Sequence, residues 1–222
     1  MIFGNKSTFA IEASLASDDA TTPFGMIVLW IGDHRVGDAL GGYDIPFVLE
    51  SFLDPLLLSP ATFQTALTVG SGSEIIDELS RIRFADTGSN FDEREHMLSR
   101  LRKFIVPSAY DIEGFDQFFV VVLRTTPGKC RLIWREKDTE ETKERVVPEE
   151  AYRGALVECY KWISKRTNIA LAPFRWLELP EKEKDDVRSI VCERDPKLLL
   201  AANEDKLLDA AVAEAFVRAG GK

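Results

Sequence analysis

The chain has 222 residues, 45% of them hydrophobic and 29% charged, with three cysteines and a formal net charge of -9. A chain of that length buries enough surface to hold a core without disulfides or metals. The acidity argues against a general binder of phosphate backbones, and three widely spaced cysteines, none in a C-x-x-C pair, give neither a disulfide framework nor a zinc signature.

The N-terminus carries no basic stretch leading into an apolar run, and the runs at 24–31, 55–58 and 118–123 fall far short of a membrane span. A cytoplasmic protein with buried thiols is the expectation. Residues 8–15 place Phe9, Ile11, Ala13 and Leu15 on one side at period two, which predicts a strand with one buried face. The polar linker 16–23 follows, with Asp18 and Asp19 marking a turn, and then a near-continuous apolar strand at 24–31. Gly32, Asp33 and His34 form a short turn, from which Arg35 and Val36 begin a paired return strand. Gly37, Gly41 and Gly42 loosen the next stretch into a loop.

Residues 45–69 read as helical but broken. Pro46 suits a first turn, whereas Pro55 and Pro60 interrupt the pattern, so two short helices are expected. The run 70–73, Gly-Ser-Gly-Ser, reads as a hinge-like loop before a helix with Ile75, Ile76, Leu79 and Ile82 on one stripe. A second helix starts at Asn90, with Glu93 three residues on. An antiparallel meander follows. A strand at 115–124, a turn at 125–128 and a return strand at 129–136 lead to a third strand ending at Val146 and Val147. Pro148 opens a helix with Glu149 and Glu150 in its first turn and Lys161, Lys165 and Arg166 near its end. Its core stripe is Tyr152, Ala155, Leu156, Cys159, Trp162 and Ile163. Beyond Pro173 the pattern is helical at 187–192 and 198–217. The fold class expected is α+β, with N-terminal strands and a three-stranded meander packed with helices. The division expected is a domain over 1–170 and a helical extension over 171–222 packed on it.

Catalytic signatures are missing. No G-x-x-x-x-G-K-[ST] loop exists, and the 70–73 run lacks the third glycine and the basic residue of a phosphate cradle. His34 and His96 stand apart without metal-ligand spacing, and no serine sits in a G-x-S-x-G context. No catalytic residue, cofactor or metal is therefore expected. Asp33 beside His34 is the remaining enzymatic alternative.

The charge is lopsided. Residues 1–114 hold 17 acidic against 8 basic residues, while 115–222 hold 20 of each. Asp33, Asp38, Asp44, Glu50 and Asp54 flank the glycine-containing loop. Two readings compete: a solvated face that aids solubility, or a field that draws a basic partner.

The opening Ile2-Phe3-Gly4-Asn5-Lys6-Ser7-Thr8-Phe9-Ala10-Ile11 resembles the start of a family of bacterial immunity proteins from polymorphic toxin systems. There an I-[FI]-G-[DN] opening leads into a Phe-Ala-Ile strand. The strand at 24–31 with its Gly32 turn and the Arg35-Val36-Gly37-Asp38 return are similar too. So is the meander around Arg131-Leu132-Ile133-Trp134-Arg135, followed by a helix with an aromatic near its end, here Trp162. The resemblance runs over 1–166 and stops before the helical tail. It implies a cytoplasmic antidote that binds a cognate toxin domain and blocks it without catalysis. A basic nuclease is the toxin type that the acidic half would suit, with direct nucleic-acid and membrane partners not expected. The candidate contacts are Asp33, Asp38, Tyr43 and Asp44, chosen for loop position, local acidity and one aromatic ring. The alternative is a non-enzymatic adaptor that docks through its C-terminal helices.

Overall fold

In this computed structural model the described residues are 1–16, 23–37, 42–58, 70–83, 105–106, 118–126, 128–137, 139 and 141–167. They build two antiparallel sheets. The first has the order β1 (Ile2–Asn5), β2 (Phe9–Leu15), β3 (Phe24–Ile31), β4 (His34–Val36), and the short β5 (Tyr43–Asp44) also pairs with β3. Register follows from alternation. Phe9 faces Ile31, Ile11 faces Leu29, and Ala13 faces Ile27 across the β2–β3 pair. All six are at most 1% exposed, so one side of the sheet is core. A one-residue slip would turn all of them to the other side, which pins the pairing. The β3–β4 turn places Gly32 at φ 56° and Asp33 at φ 68°. Two consecutive positive angles define a type I′ turn, whose twist matches the strands. Glycine and aspartate carry such angles at little cost.

Helix α1 (Ile45–Leu58) follows β5, and α2 (Gly72–Arg83) precedes the second sheet. That sheet has the order β6 (Ile105–Val106), β7 (Phe118–Thr126), β8 (Lys129–Glu136), β9 (Thr142–Pro148). The meander thus gains a fourth strand, β6, at its edge. Helix α3 (Glu149–Thr167) follows directly. Helices α1 and α3 touch each other and both sheets. The α3 stripe explains this: Tyr152, Ala155, Leu156, Cys159 and Ile163 are buried. The Tyr152 ring packs tilted against that of Phe9, 4.6 Å between centroids, and its hydroxyl donates to the Phe52 carbonyl of α1 at 2.5 Å. Trp162 meets Phe3 at 5.4 Å between ring centroids. Helix α2 lies instead on the other side of β8, where Arg135 bonds Asp77 at 2.6 Å and Arg131 donates to the Gly70 carbonyl at 2.9 Å.

Two expectations change and one strand is added. Pro55 does not break α1, which runs through it as one helix of 14 residues. The buried set Val48, Leu49, Phe52, Leu53 and Leu56 supplies packing energy that outweighs one lost backbone hydrogen bond. The Gly-Ser-Gly-Ser run is no hinge at its second half. Glu74 Oε2 accepts from the Ser71 N–H and hydroxyl, both at 2.8 Å, while Ser71 Oγ accepts from the Glu74 N–H at 3.3 Å. That reciprocal pair is a capping box, and it starts α2. Residues 2–5, whose sequence shows no alternation, are a strand. The helix expected from Asn90, the interruption at Pro60 and the C-terminal helices lie outside the described residues, as do His96 and Cys192.

Cys130 and Cys159 are fully buried and free. Burial pushes the Cys130 thiol up to about 12, with the Glu149 carboxylate adding to the rise and Arg124 opposing it. Burial likewise raises Cys159. A native Cys192→Ser variant is therefore expected not to react with an aromatic disulfide reagent at neutral pH, and to release two equivalents once denatured. Rapid native labelling would contradict this burial.

Candidate interaction surface

The first sheet has two sides of different character. Odd-numbered residues of β2 and β3 point into the core. Even-numbered ones make the other side: Glu12 and Ser14 on β2, Phe24, Met26, Val28 and Trp30 on β3. Ile2 joins them as the partner of Glu12, and Arg35 as the partner of Trp30.

A small polar cluster organises this side. Trp30 Nε1 donates to Glu12 Oε2 at 2.7 Å, and Lys6 Nζ donates to the same oxygen at 3.1 Å. The Lys6 ammonium also sits 3.6 Å from the Trp30 ring centroid, a cation–π contact. Arg35 lies close by, its guanidinium 4.0 Å from the Met26 sulfur. Desolvation raises the Glu12 pKa. The hydrogen bonds from Trp30 and Lys6, with the charges of Lys6 and Arg35, together outweigh it and hold the carboxyl below its ordinary value. A depressed carboxylate stabilises the fold above its unfolded pKa, and that contribution disappears as pH falls through the folded value. Glu12→Gln is accordingly expected to lower stability at neutral pH, with the deficit closing under acid conditions. Paired urea titrations at the two pH values check this. An equal deficit at both would assign the loss to packing.

The turn that holds Lys6 is built locally. Asn5 Oδ1 accepts from the Ser7 N–H at 3.0 Å and the Ser7 hydroxyl at 2.8 Å, and the Thr8 N–H donates to the Asn5 carbonyl at 3.0 Å. This asparagine turn explains the Asn at the end of the opening motif. It is tied to the β3–β4 turn, because the Asp33 N–H donates to the Lys6 carbonyl at 2.9 Å and the Gly32 N–H to that of Thr8 at 3.1 Å.

The four residues singled out from sequence fall in different settings. Asp33 is exposed at the tip of the type I′ turn. Asp44 caps α1, its Oδ1 accepting from the Phe47 N–H at 3.2 Å. Tyr43 is 5% exposed and faces the core beside Gly25. Asp38 lies outside the described residues. Asp33 and Asp44 therefore belong to opposite ends of β3, one at the Ile31 end and one opposite Phe24. His34 packs its ring 5.6 Å from that of Trp134. Among the described residues no three His, Cys, Asp or Glu side chains gather as a metal set, and no helix is long and apolar enough to cross a membrane.

Sequence reasoning overlooked the Trp30, Glu12, Lys6 and Arg35 cluster. The available signal was a glutamate in the middle of an otherwise apolar strand, a position that needs a partner on the same face.

Residues 1–162 match the family described as immunity protein 42. The fold is similar to the crystal structure of CdiI from Burkholderia dolosa AUO158, with a TM-score of 0.54 and 16% sequence identity, over 72% of this chain and 99% of that one. At that identity the likeness speaks for the fold. No curated protein matches the chain.

Proposed function

The chain belongs to the immunity protein 42 family, and from that premise we propose that it is a non-catalytic antidote. It binds a cognate toxin domain in the cytoplasm and blocks it by covering the toxin's working surface. The observation that carries this reading is the family match, which spans both sheets and most of α3. An interface of about 1,600 Å² in total is the standard size for such a complex. Residues 171–222 are read as an addition to the toxin-binding domain, because the match ends at residue 162. The test is co-expression with the toxin domain encoded beside its gene, scored by survival and by co-purification. Survival with a stable complex is expected. Death of the cells with no complex formed overturns the reading.

The excess acidity of the N-terminal half supports a basic toxin surface, of which a nuclease is one example. Asp33 and Asp44, at the two ends of β3, and the aspartate at position 38 are the acidic side chains assigned to this attraction, with the buried Tyr43 next to Asp44. Charges at a rim act on encounter more than on holding. Asp44 also caps a helix, so Asp33 and Asp38 are the informative pair. Reversing both to lysine is expected to slow association about tenfold at low salt and to flatten its salt dependence, with dissociation unchanged. Stopped-flow association across a salt series measures this. An unchanged salt slope would remove these aspartates from the steering field.

A further inference from the structure

We infer that the even-numbered face of the first sheet, centred on Trp30, is where the toxin domain docks, and that the toxin offers it an apolar patch carrying a carboxylate for Arg35. This rests on the inhibitor reading above and adds the surface and the chemistry of the partner.

Exposed apolar area comes first. Among the described residues the large hydrophobics with most exposure are Met1, Ile2, Phe24, Phe47 and Val146. Ile2 at 50% and Phe24 at 48% lie on this face, and Phe47 at 45% follows Asp44, the register partner of Phe24. Half-buried Met26 lies between Phe24 and the Ile2–Glu12–Val28 row, half-buried Trp30 lies just beyond that row, and Ala10 and Val28 are fully buried. Large apolar side chains left exposed on one sheet face mark interaction sites.

Preorganisation is the second point. The Trp30 indole is fixed by Glu12 on its N–H and Lys6 over its ring before any partner arrives. A tryptophan whose orientation is already set loses little entropy on binding, and tryptophan and arginine are the residues most often found at the energetic centre of interfaces.

Charge selects the occupant. Lys6 pairs with Glu12 at 3.1 Å, whereas Arg35 is exposed, acts on Glu12 only through its charge, and makes no salt bridge to a described residue. An exposed guanidinium beside an aromatic ring, with no carboxylate on it among the described residues, suits a planar carboxylate. Aspartates that steer the encounter and an arginine on edge strand β4 that holds the partner then divide the work.

The experiment measures binding of the full chain to the adjacent toxin domain, silenced at its active centre. The variants are Trp30→Ala, Arg35→Glu and, on β9 of the other sheet, Val146→Asp. Arg35→Glu and Trp30→Ala are each expected to raise Kd about tenfold or more, mainly through faster dissociation, with circular dichroism unchanged. Val146→Asp is expected to stay within about twofold of the parent. Arg35 is exposed, so its variant remains informative if Trp30→Ala fails to fold. A tight parent complex with Arg35→Glu within about twofold overturns this face while leaving the inhibitor reading intact. A parent chain that does not bind at all overturns both. A dimer of the chain alone that Arg35→Glu dissociates would assign the face to a second copy and overturn the partner proposed.

Discussion

Replacing Glu149 with alanine is expected to lower the unfolding free energy by about 3–5 kcal/mol, the usual cost of removing one member of a buried ion pair. Arg124 is 6% exposed and Glu149 17%. The guanidinium donates from Nε to Oε2 at 3.0 Å and from Nη2 to Oε1 at 3.0 Å and Oε2 at 2.9 Å. The alanine variant leaves the arginine its desolvation cost and removes the carboxylate that offset it. Two further losses go the same way. Glu149 is the first residue of α3, where a negative charge meets the positive end of the helix. Its own N–H donates to the Gly128 carbonyl at 2.8 Å, so the pair clamps the helix start onto the β7–β8 turn. The measurement is the urea midpoint at constant slope. The partner variant separates charge from packing: Arg124→Met with Glu149→Leu is expected to recover most of the loss, because two apolar side chains carry no desolvation penalty. If Glu149→Ala alone shifts stability by less than about 1 kcal/mol, the pair is solvated in solution and does not hold the helix in place.

That pair shows what could be read from the sequence and what could not. Pro148 followed by two glutamates announces a helix start, and the spacing of Tyr152, Ala155, Leu156, Cys159 and Ile163 announces its buried side. Both signals are local. The arginine that Glu149 meets lies 25 positions earlier, inside an apolar strand, and the β7–β8 and β8–β9 registers together bring it across. The same division holds elsewhere. Alternation in β2, the apolar run of β3, the Gly-Asp turn and the meander were legible because each depends on neighbours. Strand β1 is a strand only because β2 pairs with it, and β5 only because β3 does. Pro55 was misjudged because the rule that proline breaks a helix describes a solvated helix, whereas α1 is held by its buried side. The box Ser71-x-x-Glu74 was a local signal hidden by its glycines.

The candidate surface divides in the same way. Loop position and acidity pointed to Asp33, Asp38, Tyr43 and Asp44. The cap at Asp44 was available in the order Asp-Ile-Pro-Phe, an N-cap followed by a first-turn proline. The enclosure of Tyr43 was not, since it follows from the pairing of β5 with β3. The Trp30 cluster joins residues from three strands' worth of sequence, Lys6, Glu12, Trp30 and Arg35. Their meeting depends on register throughout, while composition shows only that the N-terminal half is acidic.

Gly4→Ala is the second substitution expected to have a large effect, and it tests why the opening motif contains a glycine. Gly4 has φ +88°, and an added Cβ would lie 2.6 Å from the Phe9 carbonyl oxygen and 3.1 Å from the Ala155 Cβ. Two costs add. The left-handed backbone costs an L-residue about 1–3 kcal/mol, and forcing a methyl into a closed contact costs about 1–3 kcal/mol more. A total of about 2–6 kcal/mol is expected in urea unfolding. The two neighbours can be told apart. Ala155 is a side chain on α3 that can be trimmed, whereas the Phe9 carbonyl is backbone in a paired strand and cannot retreat without breaking β1 from β2. Ala155→Gly itself costs about 1 kcal/mol of helix propensity, so the comparison needs a double-mutant cycle. A coupling energy under about 1 kcal/mol is expected, because the strand contact and the backbone angle dominate. Full rescue by Ala155→Gly would mean instead that helix α3 sets the spacing and that the glycine serves the seat of Trp162 on Phe3. A Gly4→Ala variant as stable as the parent would remove both reasons and leave the motif glycine without a structural role.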